Sequence, residues 1–193
     1  MVMRYVLIVS FLVISGLTGC KRAESFIDET RRFEAAGKGI QFSLDTVPKE
    51  IHKLIVNFYA PDCPPCEKEI PALKKFYEKY RTQTSVGFMA VGSSLKAVEQ
   101  NPKPGKDPPL TREQILSELA AFNAKYSPPW PQYLADSTDL KTWRITGFPE
   151  TFLFERQNGR WILKKKLISE ISFDTLEKFV LKSDAGESGG SGY

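Results

Sequence analysis

The stretch from Lys53 to Tyr80, KLIVNFYAPDCPPCEKEIPALKKFYEKY, constrains the fold more than any other part of the chain. Its first eight residues, Lys53 to Ala60, form a nearly continuous apolar run rich in β-formers, as a strand covered on both faces requires. The pattern then changes abruptly. From Cys66 the apolar residues fall at Ile70, Leu73, Phe76, Tyr77 and Tyr80, the spacing of a helix with one buried side. Cys63 and Cys66 sit at the junction, where they are a redox pair, half a metal site or a covalent buckle.

The remaining segments alternate in the same way. Ile40 to Asp45 reads as a half-buried strand and Val86 to Ser93 as a buried one, followed by a loop containing NPKPGKDPP, whose prolines exclude regular structure. Thr111 to Tyr126 is helical, opened by a capping pair of Thr111 and Gln114. WPQYLAD is a further strand, and a short helix lies near Leu140 to Trp143. ETFLFERQNGRWILKKKLI holds two strands around an Asn158-Gly159 turn, and SFDTLEKFVLK is the last helix. The order β, β, α, β, α, β, α, β, β, α predicts an α/β domain with a central mixed sheet flanked by helices and a proline-rich loop insertion around 94–110.

The first twenty residues have a basic Arg4, a 13-residue apolar run from Tyr5 to Leu17 and a small-residue exit, the pattern of a secretory signal. The run falls short of the roughly 20 residues that a spanning helix needs. Leu17-Thr18-Gly19-Cys20 resembles the lipobox of bacterial lipoproteins, which makes residues 1–19 the signal and Cys20 the lipidated N-terminus. A plain signal cut elsewhere is the alternative. Residues 20–39 read as lipidated tether or short helix, 40–182 as one domain, and 183–193 as a flexible tail. Lipidation also accounts for the odd count of three cysteines, leaving Cys63 and Cys66 as one pair in an oxidising compartment. The 27 basic and 23 acidic residues are interspersed with no sustained basic face, so nucleic acid is not an expected partner.

A cysteine attacks as thiolate, and a helix N-terminus supplies the partial charge and free amides that favour one. Cys63 is expected exposed at the helix tip as the nucleophile, with Cys66 deeper; at i and i+3 their Cβ atoms lie roughly 5–6 Å apart, close enough to bond. Pro64 and Pro65 each remove an amide, so the Cys66 N–H is the expected donor to the Cys63 sulfur.

These features together resemble the thioredoxin superfamily, more narrowly the membrane-tethered reductant branch typified by TlpA, ResA and CcmG (DsbE). The resemblance spans about residues 40–182. It rests on NFYAPDCPPC, on Pro71 five residues after the second cysteine, on GFPETFLF, and on the closing hairpin and helix. It implies a thioredoxin-like fold and thiol–disulfide exchange through Cys63 and Cys66, with no cofactor beyond their redox-active disulfide. It also implies a cis Pro149 facing that disulfide, with Phe148 offering its backbone to a substrate strand beside Pro64 and Pro65. Phe148 departs from the smaller residue common at its position. Thioredoxin carries an aspartate six residues before its first cysteine; this chain has Asn57, read as structural. Glu69 and Glu150 match acidic positions of the branch and stand as two candidate proton acceptors for Cys66, against the plainer reading of solvated surface glutamates.

The implied setting is the periplasmic face of a bacterial membrane. A monomer held by lipid on Cys20 would reduce disulfides in exported proteins, for general redox homeostasis or cytochrome c biogenesis, and be recharged by a membrane-bound donor of the DsbD/CcdA type. Copper binding by the same two thiols is the rival reading, since soft thiolates suit Cu(I). A structural zinc site wants more ligands than two cysteines and the lone His52 provide, and no metal site is expected. The buckle reading fails on magnitude, because so short a loop contributes far less than the roughly 3 kcal/mol of a 15-residue one. The LKKKL run reads as edge-strand charge that opposes aggregation, and Trp130, Trp143 and Trp161 as core or rim.

Overall fold

A computed structural model describes residues 32–35, 41–61, 63–98 and 111–182. The signal read over 1–19, the lipidation site Cys20, most of the proline-rich loop and the tail at 183–193 lie outside the described residues.

The elements in chain order are β1 (Arg32–Ala35), β2 (Gln41–Ser43), a 3-10 turn (Leu44–Thr46), β3 (Lys53–Tyr59), α1 (Pro64–Tyr80), β4 (Val86–Gly92) and α2 (Leu95–Val98). They continue with α3 (Arg112–Tyr126), β5 (Gln132–Leu134), α4 (Ser137–Thr142), β6 (Glu150–Gln157), β7 (Arg160–Ile168) and α5 (Phe173–Leu181). Among the described residues the strands form one mixed sheet in the order β2-β1-β5-β4-β3-β6-β7. β3 runs parallel to β4 and antiparallel to β6, so the strand that leads to Cys63 is central and covered on both faces, as its apolar run requires. This is the α/β thioredoxin-like fold, with helices flanking a central mixed sheet.

Two elements differ from the sequence reading. Arg32–Ala35, within the stretch read as tether or short helix, is a strand paired antiparallel to β2 and β5. Leu95–Val98, within the region read as loop, is one helical turn. Both are short and carried by pairing or packing with distant segments, which local periodicity does not report.

Alternation along β3 sorts the core. Ile55 and Tyr59 pack against Ile70, Leu73 and Phe76 of α1, Leu119 and Phe122 of α3 and Leu176 of α5, whereas Leu54, Val56 and Phe58 join Leu140, Trp143, Phe152 and Phe154 on the opposite face. Phe58, Phe152 and Trp143 form an edge-to-face cluster there, with Trp143 and Phe152 perpendicular at 5.2 Å. All three tryptophans are buried, and Trp161 donates its Nε1–H to the Leu44 carbonyl at 2.9 Å.

The local signals operate as read. The Thr111 hydroxyl accepts from the Gln114 amide while the Gln114 side chain accepts from the Thr111 amide, closing the capping box of α3. Asn158 and Gly159 both have positive φ, 50° and 80°, the requirement of a tight hairpin turn. β7 is an edge of the sheet, and Lys164 and Lys165 on it are exposed.

Candidate active site

Cys63 caps α1. Its backbone is extended (φ −108°, ψ 98°), Pro64 and Pro65 occupy the first two helical positions, and the first available amide, that of Cys66, donates to Cys63 Sγ at 3.3 Å. The donor is the one that the proline pair leaves. The two cysteines are joined by a disulfide, with Cα atoms 5.2 Å apart.

Exposure differs from the expectation. Cys63 is 2% exposed, almost as deep as Cys66 at 1%, and both belong to the apolar cluster on the α1 face of the sheet. The reason is geometric: a helical Cα–Cβ bond leans toward the N-terminus, so Cys66 points back at the cap, and the bond between the sulfurs draws Cys63 over the first turn rather than outward.

Glu69 lies one turn after Cys66 on the buried side of α1 and is 2% exposed. Two donors hold its carboxylate: Asn57 Nδ2–H reaches Oε1 at 2.9 Å, and the Ile171 amide reaches Oε2 at 3.0 Å. Burial pushes the carboxyl up from its ordinary 4.5 to about 7, against the two hydrogen bonds, which favour the anion; the Glu170 charge adds to the rise. Burial wins because both donors are neutral. Cys66, Glu69, Asn57 and Tyr59 line one small cavity under Phe122 and Trp130, so the Cys66 sulfur and a carboxyl that titrates near neutrality face the same void. Tyr59 is held out of the neutral range by burial, which raises its hydroxyl further, and it donates to Gln132 Oε1 at 2.5 Å.

The second constellation begins β6. The Phe148–Pro149 peptide is cis. Pairing of Phe58 with Glu150 sets Pro149 level with the end of β3, where the chain turns toward Cys63. Phe148 is half-buried and packs against the clusters of both faces. The Pro149 carbonyl accepts from the Ser169 amide at 3.0 Å. Glu150, 0% exposed, does not line the Cys66 cavity. Its Oε1 accepts from the amide of Thr146 at 2.9 Å and from the Thr146 hydroxyl, while Lys166 Nζ lies 2.6 Å from Oε2. Lys166 also donates to the Arg144 carbonyl. Two ends of the Arg144–Pro149 loop are thus fastened to β6 and β7. The two glutamates therefore differ in setting: Glu69 shares a cavity with the thiol, and Glu150 is committed to a loop.

Asn57 and Thr151 contribute more than the sequence reading gave them. Asn57 Nδ2 donates to Thr151 Oγ1 at 3.0 Å as well as to Glu69, and both residues are buried. Strand alternation carried the signal: Asn57 lies between Ile55 and Tyr59 on the face that meets α1. Among the described residues no group of three or more His, Cys, Asp or Glu side chains converges to hold a metal, and His52 is exposed.

No curated protein matches the chain. Similar solved structures include StoA from Bacillus subtilis, at 23% identity and TM-score 0.53, covering 77% of this chain and 94% of that one. A thioredoxin-family thiol:disulfide interchange protein from Chlorobium tepidum TLS aligns at 17% identity and TM-score 0.55, covering 78% and 90%. A secreted Mycobacterium tuberculosis disulfide oxidoreductase homologous to E. coli DsbE aligns at 16% and 0.53, covering 78% and 93%. At such identities the likeness is one of fold. The AhpC/TSA family profile matches residues 26–138, more than half of the chain, taking in Cys63, Cys66 and Glu69 and ending before Pro149. A thioredoxin-like fold with a bonded Cys63–Cys66 pair at a helix cap is thus the form this chain takes, and it belongs to the AhpC/TSA family.

Proposed function

We propose that the protein is a thiol–disulfide oxidoreductase that reduces disulfides in exported proteins from a lipid anchor on Cys20 at the periplasmic face of a bacterial membrane. The observation that carries the reading is the shared cavity of Cys66 and Glu69 directly behind the Cys63 cap. In the reduced protein the Cys63 thiolate attacks one sulfur of a partner disulfide, forming a mixed disulfide and releasing the partner's other sulfur as thiolate. Cys66 then gives its proton to the Glu69 carboxylate and attacks Cys63 Sγ. The partner leaves with both sulfurs reduced, and the Cys63–Cys66 bond is restored. A membrane-bound dithiol donor of the DsbD/CcdA type supplies the two electrons that reopen that bond, and the Glu69 proton returns to the Cys66 thiolate.

Pro149 and Phe148 form the rim on which the partner segment lies, with Pro64 and Pro65 opposite; Glu150 and Lys166 hold that rim in place. Since Cys63 is buried in the disulfide form, the donor has to uncover the sulfur before exchange begins. The test is to express Cys66→Ser in a bacterial host and identify proteins covalently trapped on Cys63 by mass spectrometry. Exported proteins with paired cysteines, released by a reductant, are the expected catch. Recovery of no disulfide-linked protein, with the variant folded, would overturn the reading.

A further inference from the structure

Glu69 has to hold a proton for part of the proposed cycle, and its surroundings dictate where that proton goes. Oε2 faces the Ile171 backbone amide at 3.0 Å, a donor that cannot turn into an acceptor, so a proton on that oxygen would oppose an N–H. Oε1 faces Asn57 Nδ2 at 2.9 Å. A carboxamide differs from a backbone amide in one respect that matters here: half a turn about its last bond exchanges a two-proton donor for an acceptor of almost the same shape. The other partner of Asn57 is a hydroxyl, Thr151 Oγ1 at 3.0 Å, which accepts or donates by rotating its own hydrogen.

We infer that Asn57 and Thr151 are positioning residues forming a two-state amide switch that lets Glu69 carry the Cys66 proton on Oε1 with that oxygen hydrogen-bonded in both states. With Glu69 ionised, the two Nδ2 hydrogens go to Glu69 Oε1 and Thr151 Oγ1, the arrangement in this structure. With Glu69 protonated, the amide turns over. Oδ1 then accepts from the carboxyl O–H and from the Thr151 hydroxyl, and the bond count around Oε1 is unchanged. Oδ1 and Nδ2 exchange places and no other heavy atom has to move, so the exchange needs no repacking under Phe122 and Trp130. An aspartate at 57 lacks this option: it would be a second acid against Glu69, and two carboxyls in one buried site cannot both ionise. The switch rests on the reading of Glu69 as the proton acceptor of Cys66.

Cys66 and Tyr59 line the same cavity, Tyr59 stays protonated, and Glu170 acts through its charge. The step itself balances: the S–H bond of Cys66 breaks, the O–H bond of Glu69 forms, and the amide rotation consumes nothing.

The experiment is NMR on the oxidised full-length chain, following the Glu69 side-chain carbonyl carbon and the Asn57 side-chain NH2 from pH 5 to pH 9, with NOEs from the NH2 to Thr151. The expected result is one shared midpoint near neutrality, with the NH2-to-Thr151 NOEs strong above it and lost below it. If the Glu69 carbon titrates while those NOEs persist throughout, the switch is overturned and the role of Glu69 stands. If the Glu69 carbon does not titrate between these limits, the proton-acceptor reading and the switch both fall. Thr151→Val adds a second readout. Removing the hydroxyl orphans an N–H in the ionised state but only a carbonyl lone pair in the protonated one, and the former costs more. The Glu69 midpoint should rise by roughly half a pH unit to one, with Thr151→Ser restoring it. An unchanged midpoint in Thr151→Val would contradict the switch.

Discussion

The Asn57 side-chain amide on β3 and the Glu69 carboxylate on α1 meet at 2.9 Å inside the interface between sheet and helix. The contact joins the central strand to the helix that Cys63 caps. It places a titrating carboxyl on the same void as Cys66, and most of the testable behaviour follows from it.

Glu69 makes stability depend on pH. Burial raises its carboxyl from 4.5 to about 7, so between these values the folded, oxidised chain binds more protons than the unfolded one. Stability then falls as pH rises through that window, by about 3 kcal/mol if this group acts alone. Urea unfolding at pH 4.5 and pH 7.5 should show a steeper loss in the wild type than in Glu69→Gln. Equal pH slopes in the two would show that Glu69 titrates normally.

The resolving step should carry the same signature with the opposite sense. In the proposed cycle ionised Glu69 is the acceptor, so release of partner from a preformed Cys63 mixed disulfide should accelerate as pH rises through about 7. Glu69→Gln should slow release by a factor on the order of 10² or more and remove the neutral inflection. Stopped-flow release of a fluorescent thiol measures both.

Glu150 and Lys166 form a pair whose two halves have unequal consequences. Lys166→Met leaves the fully buried Glu150 carboxylate without its cation and should cost about 3–5 kcal/mol. Lys166→Met combined with Glu150→Gln should recover most of that loss, since the charge and its partner go together. Equilibrium unfolding of both variants decides it; equal losses would mean that the cost does not come from leaving the Glu150 charge unpaired.

Gly92, at the end of β4, is required by close approach. A Cβ there would lie 2.4 Å from Leu119 Cδ2 and 3.0 Å from the Tyr59 hydroxyl oxygen. Gly92→Ala should therefore destabilise by about 1–3 kcal/mol through overpacking, read as a lowered midpoint in thermal unfolding.

Much of the fold was legible because its central elements are long and periodic. The β3 run, the α1 stripe and the Asn158-Gly159 turn each carry their signal within a dozen residues. β1 and α2 are four residues long each and owe their form to partners far along the chain, so no local pattern announced them. The site divides along the same line. The donor left by Pro64 and Pro65 followed from two residues and one rule about proline. The depth of Cys63 did not, because it depends on how the cap folds back over α1. Glu69 was legible as a candidate from its spacing to Cys66. Its hold by the Ile171 amide, 102 positions away, was not, and neither was the commitment of Glu150 to Thr146 and Lys166. Asn57 was read as structural although it shares a strand face with Ile55 and Tyr59, where any polar side chain has to find a partner on α1.

The most direct test of the central claim is the rate at which the reduced protein opens a disulfide in an unfolded exported protein, comparing the wild type with Cys63→Ala and Cys66→Ser. Loss of turnover in both, with a covalent adduct on Cys63 in Cys66→Ser alone, is the predicted result. Undiminished exchange by Cys63→Ala would contradict it.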